Sequence, residues 1–141
     1  MKPTFLPLAA LLAVLLAPSA SWACRAFIPP SARVQRSFEA IVVGRVETAA
    51  YTAAEAADWH PWSGVVSVEH AVLGINDAER YAISRTGSSA ACDDGQPPPE
   101  KGERWVVYLI RNPNTGALQA AQSYPLHLAR QWDSRLASAP D

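Results

Sequence analysis

Cysteine is scarce in this chain, with two residues among 141, Cys24 and Cys92. They do not form a C-x-x-C pair, which argues against an oxidoreductase active site. Histidine is almost as rare. His60, His70 and His127 lie far apart, without the His-x-His or His-x-x-x-His spacing of a metal site. An excess of one charge is missing as well: 12 Lys and Arg stand against 13 Asp and Glu, a formal net charge of −1. A near-neutral surface has no electrostatic footprint for nucleic acid or an anionic membrane. Beyond the first two dozen residues no apolar run approaches the roughly 20 residues of a membrane span. Chemistry-bearing patterns are thin too. Gly87-Ser88-Ser89-Ala90 lacks the second glycine of a nucleophile elbow. Asp93-Asp94-Gly95 lacks the spaced ligands of a calcium loop and reads as a turn. Glu100, Glu103 and Asp133 suggest no carboxylate pair. The expectation is a chain with no catalytic residues, no metal site and no cofactor.

What the chain does have begins at its start. Lys2, an apolar run over Phe5–Ala17 and the small-residue ending Ser21-Trp22-Ala23 form the layout of a secretory signal peptide. Cleavage after Ala23 makes residues 1–23 the signal and residues 24–141 one mature domain, secreted or periplasmic. Cys24 becomes the first mature residue, and Cys92 is its sole possible intramolecular partner. In an exported protein such a pair favours a disulfide. Closing a loop of about 70 residues is worth roughly 4 kcal/mol in the chain-entropy model. A lipid anchor on Cys24 is the alternative, although Ser21 and Trp22 at −3 and −2 depart from the usual Leu-small-small pattern.

The mature part reads as a series of strands. Pro29-Pro30 precedes Ser31, which suits the cap of a short helix running towards Phe38. The first strand covers Ala40–Thr48, and Gly44 within it suggests a bulge or a sharp coil. A connection over Ala49–Pro61 follows. The second strand covers Gly64–Leu73, where Val66, Val68, His70 and Val72 alternate on one face and make His70 half-buried. After a turn over 74–77 comes a strand near Glu79–Thr86. The loop over Gly87–Gly102 holds Cys92 and the stiff Pro97-Pro98-Pro99. Arg104–Arg111 is apolar nearly throughout and reads as a central strand, and Asn112–Gly116 is hairpin-turn chemistry. A fifth strand covers Ala117–Gln122. Leu128, Trp132 and Leu136 then recur at the spacing of one helical face. Five short strands and a terminal helix make an all-β barrel pattern.

Several segments together resemble a known family. A cysteine at the mature start is followed by Val42-Val43-Gly44-Arg45-Val46 and by Val66-Ser67-Val68-Glu69, with Val72-Leu73-Gly74 just beyond. Arg85-Thr86-Gly87-Ser88-Ser89 then precedes Cys92, and Lys101-Gly102-Glu103-Arg104-Trp105-Val106-Val107-Tyr108 completes the order. This is similar to bacterial relatives of the tissue inhibitor of metalloproteinases, the netrin-type OB-fold, over about residues 24–123. The resemblance implies a five-stranded OB barrel with a short N-terminal and a C-terminal helix, and a Cys24–Cys92 bridge. The family's second bridge would join positions 26 and 123, here Ala26 and Ser123, so it is absent.

Function is expected to be that of a small exported binding module. Its partner would be a metalloprotease or another extracytoplasmic protein. In the inhibitory form that the resemblance implies, the α-amine and carbonyl of Cys24 chelate a target's zinc and Arg25 enters the adjoining pocket. Ala26 and the stretch Ser88-Ser89-Ala90 flank this ridge. An α-amine with a reference pKa near 7.7–8.0 is readily deprotonated for metal binding around neutral pH. The same residues serve equally as a strap over the barrel end. A second contact surface is the aromatic group Tyr51, Trp59, His60 and Trp62, suited to a protein or a sugar ring, or to capping the open barrel end.

Overall fold

The computed structural model of the chain describes residues 28–52, 61–86 and 94–140. The expected signal peptide and both cysteines lie outside them. Among the described residues, no helix is long and apolar enough to cross a membrane.

Five strands, β1 (Ala40–Tyr51), β2 (Trp62–Leu73), β3 (Arg80–Arg85), β4 (Arg104–Arg111) and β5 (Leu118–Pro125), form one antiparallel sheet in the order β3-β2-β1-β4-β5. The central place of β1 and β4 explains their composition. Ala40, Val42 and Val46 face one core with Trp105, Val107 and Leu109, while Ile41 and Val43 face a second core with Val106 and Tyr108. A strand covered on both faces cannot alternate apolar with polar, so it reads as an unbroken apolar run. The two strands lie in register from Ala40 opposite Leu109 to Arg45 opposite Arg104.

The first core draws Trp62 and Val66 from β2, Tyr81 and Ile83 from β3, and Leu118 from β5. The sheet therefore curls until its two end strands share one interior. The second core is roofed by helices: α1 (Pro30–Arg33), α2 (Leu126–Trp132) and a 3-10 turn over Ser134–Leu136. Val34, Leu126, Ala129 and Leu136 supply the apolar cover. Fully burying each larger apolar side chain contributes about 1.5–3 kcal/mol.

Several expectations are corrected. Ser31 does not cap α1. Pro29 holds the cap position and Pro30 the first turn, where a missing N–H costs nothing. The strands β1 and β2 extend further than expected and pair as far as Tyr51 opposite Trp62, so both residues leave the connecting loop. His70 is exposed rather than half-buried. The reason is a bulge: Val43 pairs with His70 but Gly44 with Val68, which leaves Glu69 as the extra residue and inverts the side-chain alternation. Val66 and Val68 consequently pack in the first core and Val72 against the second. The terminal helix is not continuous through Leu136. It stops at Asp133, whose extended backbone (φ −129°, ψ 106°) lets its carboxylate accept from the Arg135 N–H and cap the 3-10 turn.

Gly44 is the residue on which the β1–β2 coil depends. A Cβ there would lie 2.0 Å from the Ser67 carbonyl oxygen, so the strands approach more closely than any side chain permits. The β4–β5 hairpin follows its sequence: the Asn112 side chain accepts from the Asn114 and Thr115 N–H groups, and Gly116 closes the turn at φ 74°.

Candidate functional site

Strands β3 and β5 end the sheet without pairing to each other through backbone, so it is not closed as a ladder. Side chains clasp the gap instead. At one end the Asp77 carboxylate accepts from the Leu118 N–H at 2.9 Å and from the Tyr81 hydroxyl at 2.9 Å. These bonds hold the Asp77 carboxyl below the usual carboxylate range, the Leu118 amide foremost. A cavity of about 370 Å³ lies beside this clasp, with Tyr81, Ala82, Leu118 and Ala120 in its wall.

The opposite end is organised by Arg85. Tyr81, Ile83 and Arg85 occupy alternate positions of β3, so the guanidinium lies on the inward face at the strand's last residue. It donates from Nε to Asp94 Oδ1 at 2.8 Å and from Nη2 to Asp94 Oδ2 at 3.2 Å, the paired geometry that suits a carboxylate. It also donates from Nη1 to Ser123 Oγ at 3.2 Å and from Nη2 to the Ser123 carbonyl. Its Cζ lies 5.5 Å from the Trp62 ring and 5.4 Å from the Tyr124 ring. The side chains of Arg85 and Asp94 are 12% and 4% exposed, so the pair is screened from water on most sides. One arginine thereby joins the end of β3, the chain at Asp94, and the end of β5.

Neighbouring bonds complete the arrangement. Trp62 Nε1 donates to the Gln96 carbonyl at 2.7 Å, and the Gln96 N–H donates to Asp94 Oδ1 at 3.2 Å. Arg33 Nε donates to the Ile28 carbonyl at 2.6 Å, and the Tyr124 hydroxyl donates to Gln122 Oε1 at 2.8 Å. Burial pushes the Tyr124 phenol up, as does the nearby Asp94 carboxylate, against the opposing pull of Arg85 and Arg33.

Of the residues singled out in the sequence, Cys24, Arg25, Ala26, Trp59, His60, Ser88, Ser89, Ala90 and Cys92 lie outside the described residues. Tyr51 ends β1 and is 54% exposed. Trp62 is 1% exposed, edge-on to Trp105 with ring centroids 5.8 Å apart. It is a core residue rather than a contact residue, because β2 begins at Trp62 and turns that position inward. His127 is exposed on α2, and among the described residues no three His, Cys, Asp or Glu side chains are grouped to hold a metal ion.

Sequence reasoning missed Arg85 and Asp94. The signal was present in the period of β3, where an arginine falls on the face of Tyr81 and Ile83 and so requires a carboxylate. Comparison of the chain with protein families, with curated proteins and with solved structures finds no match.

Proposed function

We propose that the mature protein is an exported, non-catalytic interaction module with a netrin-type OB-fold, secreted or periplasmic, that meets an extracytoplasmic protein at the sheet end carrying Arg85 and Tyr124. One observation carries this reading. Ile28 follows Cys24 by four positions and Asp94 follows Cys92 by two. The first is held by Arg33, whose charge acts on Tyr124, and the second by Arg85, whose guanidinium lies 5.4 Å from the Tyr124 ring. A chain spans at most about 3.6 Å per residue, so the Cys24–Cys92 bridge implied by the resemblance is within reach. The strand order, with end strands clasped by Asp77 and Arg85, accords with a partly open five-stranded OB barrel.

The sharper form of the proposal is metalloprotease inhibition through a ridge of Cys24, Arg25, Ala26 and Ser88-Ser89-Ala90. Burial of Trp62 favours it over the aromatic surface, which loses that ring to the core. The test is inhibition of a panel of zinc endopeptidases by protein beginning at Cys24. Acetylating the α-amine, or placing one alanine before Cys24, abolishes inhibition under this reading. Inhibition that survives both changes rejects the ridge. Binding that survives them and fails in Tyr51→Ala with Trp59→Ala moves the contact to the aromatic surface. Intact mass of the exported protein separates a bridged Cys24, lighter by about two daltons, from a lipidated one, heavier by several hundred.

A further inference from the structure

We infer that the gap between β3 and β5 beside Asp77 is a binding site for an extended peptide segment of a partner protein, which lies antiparallel to both strands and pairs with their edges through backbone. Every neighbouring pair in the sheet is antiparallel, so the two end strands run in the same direction. In an antiparallel ladder a residue turns its N–H and C=O to one side, and the next residue turns its own to the other. The Glu79 carbonyl accepts from the Val68 N–H at 2.8 Å, so Tyr81 and Ile83 also face β2, while Arg80, Ala82 and Ser84 face the gap. On β5 the Leu118 N–H goes to Asp77, and the Ala117 carbonyl accepts from the Asn112 N–H. Leu118 and Ala120 therefore face the gap from the other side. The irregularity between Ala120 and Gln122 shifts that alternation by one residue, and Ser123 faces the gap in turn, as its carbonyl bond to Arg85 requires.

Side chains satisfy these edges at the two ends. Asp77 takes the Leu118 N–H, and Arg85 takes the Ser84 and Ser123 carbonyls. Between them, among the described residues, the backbone N–H and C=O groups of Ala82 and Ala120 meet no strand. Edge groups of this kind are a template for another extended chain, and proteins usually blunt them with charge, proline or a cover. Here both residues are alanines, which let a second backbone approach closely. The cavity of about 370 Å³ lies at the same place, walled by Ala78, Tyr81, Ala82, Ala117, Leu118 and Ala120. It takes side chains of an incoming segment. Its apolar wall, with the exposed Arg80 and Gln119 beside it, suits a segment that alternates apolar and polar residues. A chain antiparallel to both end strands meets each edge in the more stable of the two pairings. Both clasps are side-chain bonds, so admitting it rotates side chains and breaks no ladder. The site lies at the end of the gap opposite Arg85, so it stands apart from the ridge proposed above.

The probe is a capped hexapeptide of alternating threonine and valine. Amide hydrogen exchange of the protein is read by NMR with and without it at millimolar concentration. Exchange at Ala82 and Ala120 is expected to slow severalfold, while the β1–β4 amides keep their rates. The same peptide N-methylated at every second amide cannot pair with one of the edges. It is expected to bind about tenfold more weakly, the effect of losing one or two such bonds. Ala82→Pro removes an N–H that faces the gap and takes no ladder bond with it, so the strand tolerates it as an edge proline. That variant is expected to lose about tenfold in affinity for the unmodified peptide. The N-methylated peptide carries the test if the variant does not fold. Unchanged exchange at both alanines overturns the inference. Equal binding of the two peptides overturns it as well, since contact is then made by side chains alone, and so does slowing confined to another face. Acetylating the α-amine, which tests the ridge, is expected to leave peptide binding at its wild-type value.

Discussion

Asp133→Asn is the perturbation whose magnitude the structure defines best. The carboxylate is 2% exposed and accepts four kinds of bond. They come from the Tyr108 hydroxyl at 3.1 Å, Arg135 Nε at 2.8 Å, Arg135 Nη2 at 2.9 Å and the Arg135 N–H at 3.0 Å. Arg135 also donates to the Val34 carbonyl, so the cluster ties β4 and the 3-10 turn to the segment after α1. Burial alone raises the Asp133 carboxyl. The Arg135 guanidinium and N–H and the Tyr108 hydroxyl outweigh it and hold the group below its usual range. Asparagine keeps the shape, removes the charge, and turns one acceptor into a donor aimed at donors. Breaking a buried pair costs about 3–5 kcal/mol. The Arg135 side chain is 32% exposed and recovers part of that from water, which brings the loss to roughly 2–3 kcal/mol. For a domain of this size that lowers Tm by about 10 °C. Because the folded pKa is depressed, the unfolded chain binds the proton first as pH falls. The stabilisation is complete above the unfolded value near 3.9 and fades below it. Thermal melts of both proteins from pH 7 down to pH 3 should therefore converge on acidification. A Tm difference under 2 °C at pH 7, or one that grows below pH 4, refutes the reasoning.

Three further outcomes follow from named contacts. Trp62→Ala should cost about 3–5 kcal/mol in urea unfolding, the range for a buried aromatic, and a wild-type midpoint would contradict its place in the core. Gly44→Ala should give no native protein, because its Cβ meets backbone at 2.0 Å and backbone cannot rotate aside; native circular dichroism from that variant contradicts the register of β1 and β2. Asp77→Ala should speed hydrogen exchange at the Leu118 amide while leaving the β1–β4 amides protected. Unchanged exchange at Leu118 contradicts the side-chain clasp between β3 and β5.

Those contacts also explain which parts of the architecture could be read from the sequence. Arg104–Arg111 was legible as a strand to the residue because its pattern has one cause: burial on both faces leaves no polar position to blur it. The Asn112–Gly116 turn was legible because its chemistry is local, an Asn side chain and a glycine at positive φ. His70 was misread because face assignment by alternation assumes an unbroken ladder. The bulge at Glu69 is set by the close approach of Gly44 on another strand. Asp133 was similarly invisible. Leu128, Trp132 and Leu136 keep the helical spacing, yet a carboxylate that bonds Tyr108 from 25 residues away ends the helix between them.

The same division decides what was legible of the candidate site. Cysteine placement is countable in a sequence, so the cross-link was proposed at once. The cluster around Arg85 could not be counted. Arg85, Asp94 and Ser123 are 9 and 38 positions apart, and nothing local to any of them requires the other two. What brings them together is the curl of the sheet, which sets the end of β3 against the end of β5 though the two strands share no ladder. An arginine on the inward face of an end strand is costly unless its charge is answered. Its presence at Arg85 is thus a statement about the far edge of the sheet, written in β3. Where a strand alternates inward and outward, a cation at an inward position predicts a carboxylate beyond the strand and a polar partner on the strand across the gap. Asp94 and Ser123 meet that requirement here.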